Sequence, residues 1–175
     1  MKERVSAITP YILKHKTIAD LGIGKGYYYS GLDLSQKYIT GVDLSNKNLV
    51  KLHAYYPSIK IVEKDIRYTG LPDKAFDLVI MSQTIEHVED YWDVLKEAKR
   101  ICKSGGYFLV ATPIECYHKL HFHPVWTEEM MKEIGTKLGE TITIRKGEDW
   151  WLIYIRNVEV PGEDYLDDIK EFINE

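Results

Sequence analysis

Short apolar runs alternate with stretches of helical spacing along most of the chain. That alternation predicts βαβ units carrying a mostly parallel sheet. Five strands are expected over 17–21, 38–42, 60–63, 76–82 and 107–111, mostly rich in Ile, Val, Leu or Phe. Such runs suit strands covered on both faces. Between them, Ser45 is placed to cap a helix reaching about His53, because its hydroxyl can accept from an orphan amide of the first turn. Tyr91, Val94, Leu95, Ala98, Ile101 and Cys102 recur at helical spacing, and Gly105 with Gly106 supplies the positive φ that ends a helix.

After Pro113 the pattern changes. A polar and aromatic loop runs to Trp126, and a helix starts at Thr127 with Glu128 and Glu129 favourably placed for the dipole. Two further strands, 141–145 and 150–158, are separated by Lys146-Gly147-Glu148-Asp149, short enough for an antiparallel hairpin. Beyond Pro161, Tyr165, Ile169, Phe172 and Ile173 fall on one face of a closing amphipathic helix that packs on the domain or forms a homodimer contact. The fold class expected is α/β: a Rossmann-like, seven-stranded, mostly parallel sheet with an antiparallel hairpin at its end, helices on both faces, and one domain over 1–175.

Composition narrows the partners. With 175 residues, 45% of them hydrophobic, the chain can bury one sizeable core. Its 23 Lys and Arg against 27 Asp and Glu leave no clear nucleic-acid footprint and no polybasic stretch for a membrane. A small acceptor is the easier expectation. No run reaches the roughly 18 apolar residues a spanning helix needs. The first 16 residues interleave charges with apolar positions, unlike a signal peptide. Cys102 and Cys116 have no second pair and are expected as free thiols of a cytoplasmic protein.

The candidate chemistry begins at Ile18-Ala19-Asp20-Leu21-Gly22-Ile23-Gly24-Lys25-Gly26, an apolar strand running into three glycines at alternate positions where a helix should begin. Glycine permits close approach of a ligand to backbone, and a helix N-terminus offers free amides. Asp43 ends the second strand about 20 residues after Gly22, where a dinucleotide-type fold sets an acid against ribose hydroxyls. Asp65 follows the third strand beside the same crevice. Tyr27 stands where the NAD fingerprint asks for a third glycine, which argues against that cofactor.

From Ile18 to Pro113 the chain resembles the class I S-adenosylmethionine-dependent methyltransferases, especially the branch that includes the ubiquinone and menaquinone biosynthetic enzymes. The likeness rests on ordered motifs: Asp20 to Gly26, Gly41-Val42-Asp43-Leu44-Ser45, Glu63-Lys64-Asp65-Ile66, Phe76-Asp77-Leu78-Val79-Ile80, Glu86-His87-Val88 and Lys103-Ser104-Gly105-Gly106-Tyr107. The resemblance implies S-adenosylmethionine as cofactor and S-adenosylhomocysteine as product. It implies that Asp20 and the backbone of Gly22, Gly24 and Gly26 hold the amino acid end. Asp43 would take both ribose hydroxyls, Leu44 the adenine face, Asp65 the adenine amino group and the Ile66 amide a ring nitrogen. Ser82 and Gln83 would lie near the methionine moiety, and His87 between cofactor and acceptor. Lys25 departs from the family pattern: it either points outward or offsets the cofactor carboxylate.

A methyl sulfonium is already activated, so a base is needed only for a hydroxyl or a protonated amine acceptor. His87 and His123 are the catalytic candidates, with His118 and His121 also possible. The loop set Cys116, His118, His121 and His123 could supply zinc ligands on paper, but one irregular loop is weak support, and no metal is expected. The end of the fourth strand carries Ser82 and Gln83 where the metal-dependent catechol type has an acid. A small-molecule methyltransferase, a protein or RNA methyltransferase and a non-catalytic cofactor-binding subunit all remain open from these residues.

Overall fold

A computed structural model describes residues 2–115, 117, 119 and 121–159. In chain order its elements are α1 (Lys2–Lys14), β1 (Thr17–Leu21), β2 (Tyr38–Asp43), α2 (Asn46–Tyr55), β3 (Lys60–Glu63), β4 (Phe76–Ser82), α3 (Tyr91–Ile101), β5 (Cys102–Pro113), α4 (Glu128–Leu138), β6 (Glu140–Lys146) and β7 (Trp150–Arg156). All seven strands form one sheet in the order β3-β2-β1-β4-β5-β7-β6. The pairs from β3 through β5 are parallel, while β7 runs antiparallel to both β5 and β6. The strand order reverses direction between β1 and β4, and in such sheets the crevice outside the strand carboxyl ends at that point receives ligands.

Alternation along β4 feeds two cores. Leu78 and Ile80 pack with Ala7, Ile8 and Ile12 of α1 and Leu49 and Leu52 of α2. Val79 and Met81 pack on the other face with Val94, Leu95 and Ala98 of α3 and Met131, Ile134 and Leu138 of α4. Each fully buried aliphatic side chain contributes about 1.5–3 kcal/mol relative to exposure, so neither face could be left bare. Ser45 caps α2 by accepting from Asn48 N–H, and Thr127 caps α4 by accepting from Met130 N–H. No helix among the described residues is long and apolar enough to cross a membrane.

Three features differ from the sequence expectation. The glycine loop leads into a single 3₁₀ turn, Tyr27–Tyr29, and not into an α-helix. Gly22, Gly24 and Gly26 all have positive φ, at 79°, 57° and 72°, and a left-handed residue every second position cannot propagate right-handed turns. The segment before β1 forms α1, even with Pro10 inside it, because Ala7, Ile8 and Ile12 find the sheet. Finally, α3 ends at Ile101 and Gly105 lies within β5 rather than at a helix cap. There the register against β4 shifts, and Gly105, with φ 74°, donates its N–H to the Asn157 carbonyl at 2.8 Å. The expected closing helix beyond Pro161 lies outside the described residues.

Candidate cofactor and acceptor site

The glycine loop is held in place by its neighbours. Gly22 N–H donates to Val42 O at 2.8 Å, and a Cβ at Gly22 would sit 2.5 Å from the Thr84 side chain. Asp43 then ties the loop to α2: its carboxylate accepts from Gly24 N–H at 2.9 Å and from Ser45 N–H at 2.7 Å. Gly26 closes the turn with Gly26 N–H to Ile23 O at 3.1 Å and packs on Leu52. It faces neither cavity described below.

Two adjoining cavities open at the carboxyl ends of β1, β2 and β4. The first, about 550 Å³, is lined by Gly22, Gly24, Asp43, Leu44, Asp65 and Ile66 on one side, and by Gln83 and His87 on another. The second, about 360 Å³, shares Gly22, Gly24, Asn48 and Gln83 with it and is closed by Asp20, Ser82, Tyr28, Lys25 and Arg4. Lys25 therefore faces a cavity. A larger recess of about 630 Å³ lies away from the glycine loop, around Cys102, Ser104 and Gly105.

Asp20 is 3% exposed and accepts from the buried Tyr29 hydroxyl at 2.8 Å. Burial pushes its carboxyl up to about 7, the Tyr29 hydrogen bond opposes this, and the nearby Asp43 charge adds to it. Such a carboxyl, beside a cavity, favours a bound cation strongly. Asp65 is different: Arg67 Nη2 bonds its Oδ2 at 2.7 Å and Arg67 N–H its Oδ1 at 2.9 Å, and these bonds hold its carboxyl below the usual range. Leu44 is 68% exposed, offering an apolar surface beside Asp43.

At the end of β4, Ser82 Oγ and the Tyr28 hydroxyl share a hydrogen bond of 2.6 Å. Gln83 takes φ 56°, a left-handed conformation that a long side chain adopts at a cost of about 1–3 kcal/mol. Its N–H donates to Ala111 O at 2.8 Å, which fixes the distortion. The 3₁₀ turn Ile85–His87 follows, and it puts His87 on the cavity wall. Its neighbour Glu86 is 1% exposed, and burial pushes that carboxyl up to about 7. His123 lies apart from both cavities. Its Nε2–H donates to Glu89 O at 2.9 Å, and its ring meets the edges of Tyr91 and Trp126 at 4.9 and 5.7 Å.

The structure thus brings together Asp20, Gly22, Gly24, Asp43, Leu44, Asp65, Ile66, Ser82, Gln83 and His87, and places Gly26 and His123 outside the lining. Cys116 and His118 lie outside the described residues. The structure adds Arg4, Asn48 and Thr84, which sequence reasoning did not single out for the cofactor site. Arg4 carries no local signal, since only the docking of α1 brings it to the cavity. Glu86 stood in a quoted motif, and its acid next to a histidine was the available signal.

Residues 19–110 match the family model described as a methyltransferase domain. A Mycolicibacterium smegmatis protein described as a probable S-adenosylmethionine-dependent methyltransferase is 25% identical over 147 residues, covering 75% of this chain and 56% of its own length. A ubiquinone biosynthesis O-methyltransferase of Pelagibacter ubique is 30% identical over 129 residues, covering 71% of this chain and 54% of that protein. The chain spans about half the length of these curated relatives. Among solved structures, the N-methyltransferase NodS from Bradyrhizobium japonicum WM9 superposes with a TM-score of 0.75 at 17% identity, covering 90% of this chain and 96% of that one. On the family match, and with the strand order and glycine loop described above, the chain belongs to the class I S-adenosylmethionine-dependent methyltransferases.

Proposed function

We propose that this chain binds S-adenosylmethionine across the two adjoining cavities and transfers its methyl group to a small-molecule acceptor through an oxygen atom. The observation that carries the reading is the pair of carboxylates in one crevice. Asp20 is buried at the end of β1 beside the smaller cavity, and Asp43 is half-exposed at the end of β2 beside the larger. A buried carboxyl of raised pKa suits the cofactor's ammonium group, and Arg4 and Lys25 in the same cavity suit its carboxylate. Asp43 has oxygens facing a cavity that a ribose diol can fill, and Leu44 and Ile66 supply apolar surface for adenine. These residues fit the cofactor in charge and in shape.

When bound, the cofactor supplies an activated methyl on a sulfonium. The chain then has to bind and orient. Gly22 and Gly24 admit the ligand to the backbone, Gln83 and Ser82 border the junction of the cavities, and His87 faces the acceptor side. Fixing the acceptor in line with the methyl can supply several kcal/mol of the barrier. Support for an oxygen acceptor comes from the O-methyltransferase name of the Pelagibacter relative. Support for a small one comes from the mixed charge of the chain.

Isothermal titration with S-adenosylmethionine, S-adenosylhomocysteine and NADH tests the cofactor. Binding of the first two and not the third is expected; binding of NADH alone would overturn the reading. Transfer of a labelled methyl to hydroxylated aromatic and carboxylate metabolites, against protein and RNA extracts, tests the acceptor. Labelling confined to protein or RNA would refute the small-molecule reading.

A further inference from the structure

The recess of about 630 Å³ around Cys102, Ser104 and Gly105 lies at the amino ends of β4 and β5, at the other end of the sheet from the cofactor cavities. Its wall carries five cations from three segments: Lys74 from the turn before β4, Lys96, Lys99 and Arg100 from α3, and Arg156 from the end of β7. Val94, Leu95 and Ala98 of α3 are buried in the core, so helical spacing turns residues 96, 99 and 100 the other way. The carboxylates on the wall are Asp73 and Glu159. Arg100 is taken up by Glu97, at 2.7 Å, and by Asp73. Lys74, Lys96 and Arg156 form no ion pair with a described residue, although Lys96 is half-buried. A charge withdrawn from water calls for a counter-charge, because its lost hydration is otherwise uncompensated. The whole chain has a net charge of −4, so this local excess of cations runs against its composition.

The chain passes out of the described residues at this wall. Asn157 N–H donates to Gly106 O at 2.7 Å and Gly105 N–H to Asn157 O at 2.8 Å, which fixes the end of β7 so that Val158 and Glu159 line the recess. The next 16 residues contain Glu163, Asp164, Asp167, Asp168, Glu171 and Glu175 against Lys170 alone. At helical spacing Asp164, Asp167, Asp168, Glu171 and Glu175 share one face, beside the apolar face of Tyr165, Ile169, Phe172 and Ile173. A helix over 161–175 would be about 22 Å long, comparable with the roughly 16 Å of α3, which supplies three of the five cations.

We propose that the acidic segment 160–175 of the same chain is the occupant of this recess, its carboxylates set against Lys74, Lys96 and Arg156. The sequence leaves two places for the segment, its own domain and a second copy; charge and connection select the first. A pair of exposed unlike charges contributes little by itself. Tethering changes the balance, because a segment that starts on the wall of its own site meets it at an effective concentration of about millimolar. A second copy or an external polyanion has no such tether and has first to displace the segment. The inference does not rest on the proposed function, since the recess shares no lining residue with the cofactor cavities.

The test is zero-length crosslinking of the full chain with a carbodiimide, which joins a Lys amine to a touching carboxylate. Equal amounts of unlabelled and ¹⁵N-labelled protein are mixed, and the linked peptides are read by mass spectrometry. Lys103–Asp77, at 2.6 Å, is the internal control for the reagent. At low salt, links from Lys74, Lys96 or Lys99 to carboxylates between Glu163 and Glu175 are expected, within chains of one label. At 1 M NaCl, where the screening length falls to about 3 Å, their yield should drop at least about tenfold relative to the control. Exchanging the charges gives a second readout, with a thermal melt of each variant to establish folding. Lys96→Glu with Arg156→Glu should lower the yield from Lys74 several-fold, and adding Asp167→Lys with Asp168→Lys should restore it. Absence of the links while Lys103–Asp77 forms, or no restoration in the folded exchanged variant, would overturn the proposal. Links mainly between chains of different label would make a second copy the occupant and overturn it as well. Loss of the links when an equimolar short oligouridylate is added would assign the recess to RNA, with the same result.

Discussion

Asp43→Ala should strike binding and stability at once, because the carboxylate has two duties. In the free protein it accepts from Gly24 N–H at 2.9 Å and Ser45 N–H at 2.7 Å, anchoring the glycine loop to the start of α2. A hydrogen bond to a charged group contributes about 1.5–3 kcal/mol, and half-exposure lowers that through solvent screening. The two together are worth about 1–3 kcal/mol, which for a domain of this size lowers Tm by roughly 2–10 °C. With cofactor bound, two ribose hydroxyls would donate to the same group. Losing two charge-assisted bonds at about 1.5–2.5 kcal/mol each raises Kd by roughly a hundred- to a few-thousand-fold. Asp43→Asn keeps the shape and one acceptor oxygen, so its losses should fall between those of wild type and Asp43→Ala. Calorimetric titration with S-adenosylhomocysteine and a circular dichroism melt read the two effects separately. An unchanged Kd in a cooperatively folded Asp43→Ala variant would refute the ribose role, and an unchanged Tm would refute the loop anchor.

Three further outcomes follow from ionisable groups. Asp20, raised to about 7, should make cofactor affinity pH-dependent: protonation below that value removes the charge that meets the ammonium, so affinity should fall by up to about tenfold per pH unit below 7 and level off above it. Titrations across this range should give a flat profile for Asp20→Asn; the same slope in that variant would exclude Asp20. For Asp77, burial pushes the carboxyl up, but hydrogen bonds from Lys103 Nζ at 2.6 Å and Thr17 N–H at 2.9 Å outweigh it and hold the group at about 2. A depressed carboxyl stabilises above its ordinary value and loses that contribution as pH falls from about 4 through 2. The acid limb of the stability curve should therefore lose about 1–2 kcal/mol more in wild type than in Asp77→Asn, as read by urea melts. Burial pushes the Cys102 thiol up to about 12, so in a Cys116→Ser variant a thiol reagent should react only after denaturant is added; prompt reaction in the native state would contradict the packing.

Much of the framework could be read along the chain because each element announces itself locally. The bounds of β1, β3 and β4 are those that the apolar runs predict, Ser45 caps the helix that its hydroxyl suggests, and the helix expected to start at Thr127 does so, with Thr127 as its cap. The tetrad before Trp150 closes the antiparallel pair that its turn residues require. Asp43 could be found by its distance from the glycines, since one β-strand and its connection have a nearly fixed length. Local pattern was misleading where tertiary contact prevails. Three glycines after a strand suggested a helix start, yet with positive φ values, and with Gly22 against Thr84 and Gly26 against Leu52, they lead only into one 3₁₀ turn. The charged N-terminal segment showed no element, yet it is helical because the sheet accepts Ile8 and Ile12.

The sequence by itself determined the alternation of strands and helices, the cofactor-type loop and the acid that follows it, since these depend on residues close together in the chain. Only the tertiary structure decided which side chains meet. Arg4 joins Asp20 and Ser82 at one cavity through the docking of α1. His87 is separated from His123 by the direction in which the loop after β5 is stitched down. Glu86 and His121 become neighbours through a backbone hydrogen bond between segments 36 residues apart, Phe122 N–H to Glu86 O. Such meetings depend on where two separately specified elements are packed, and no local periodicity encodes that.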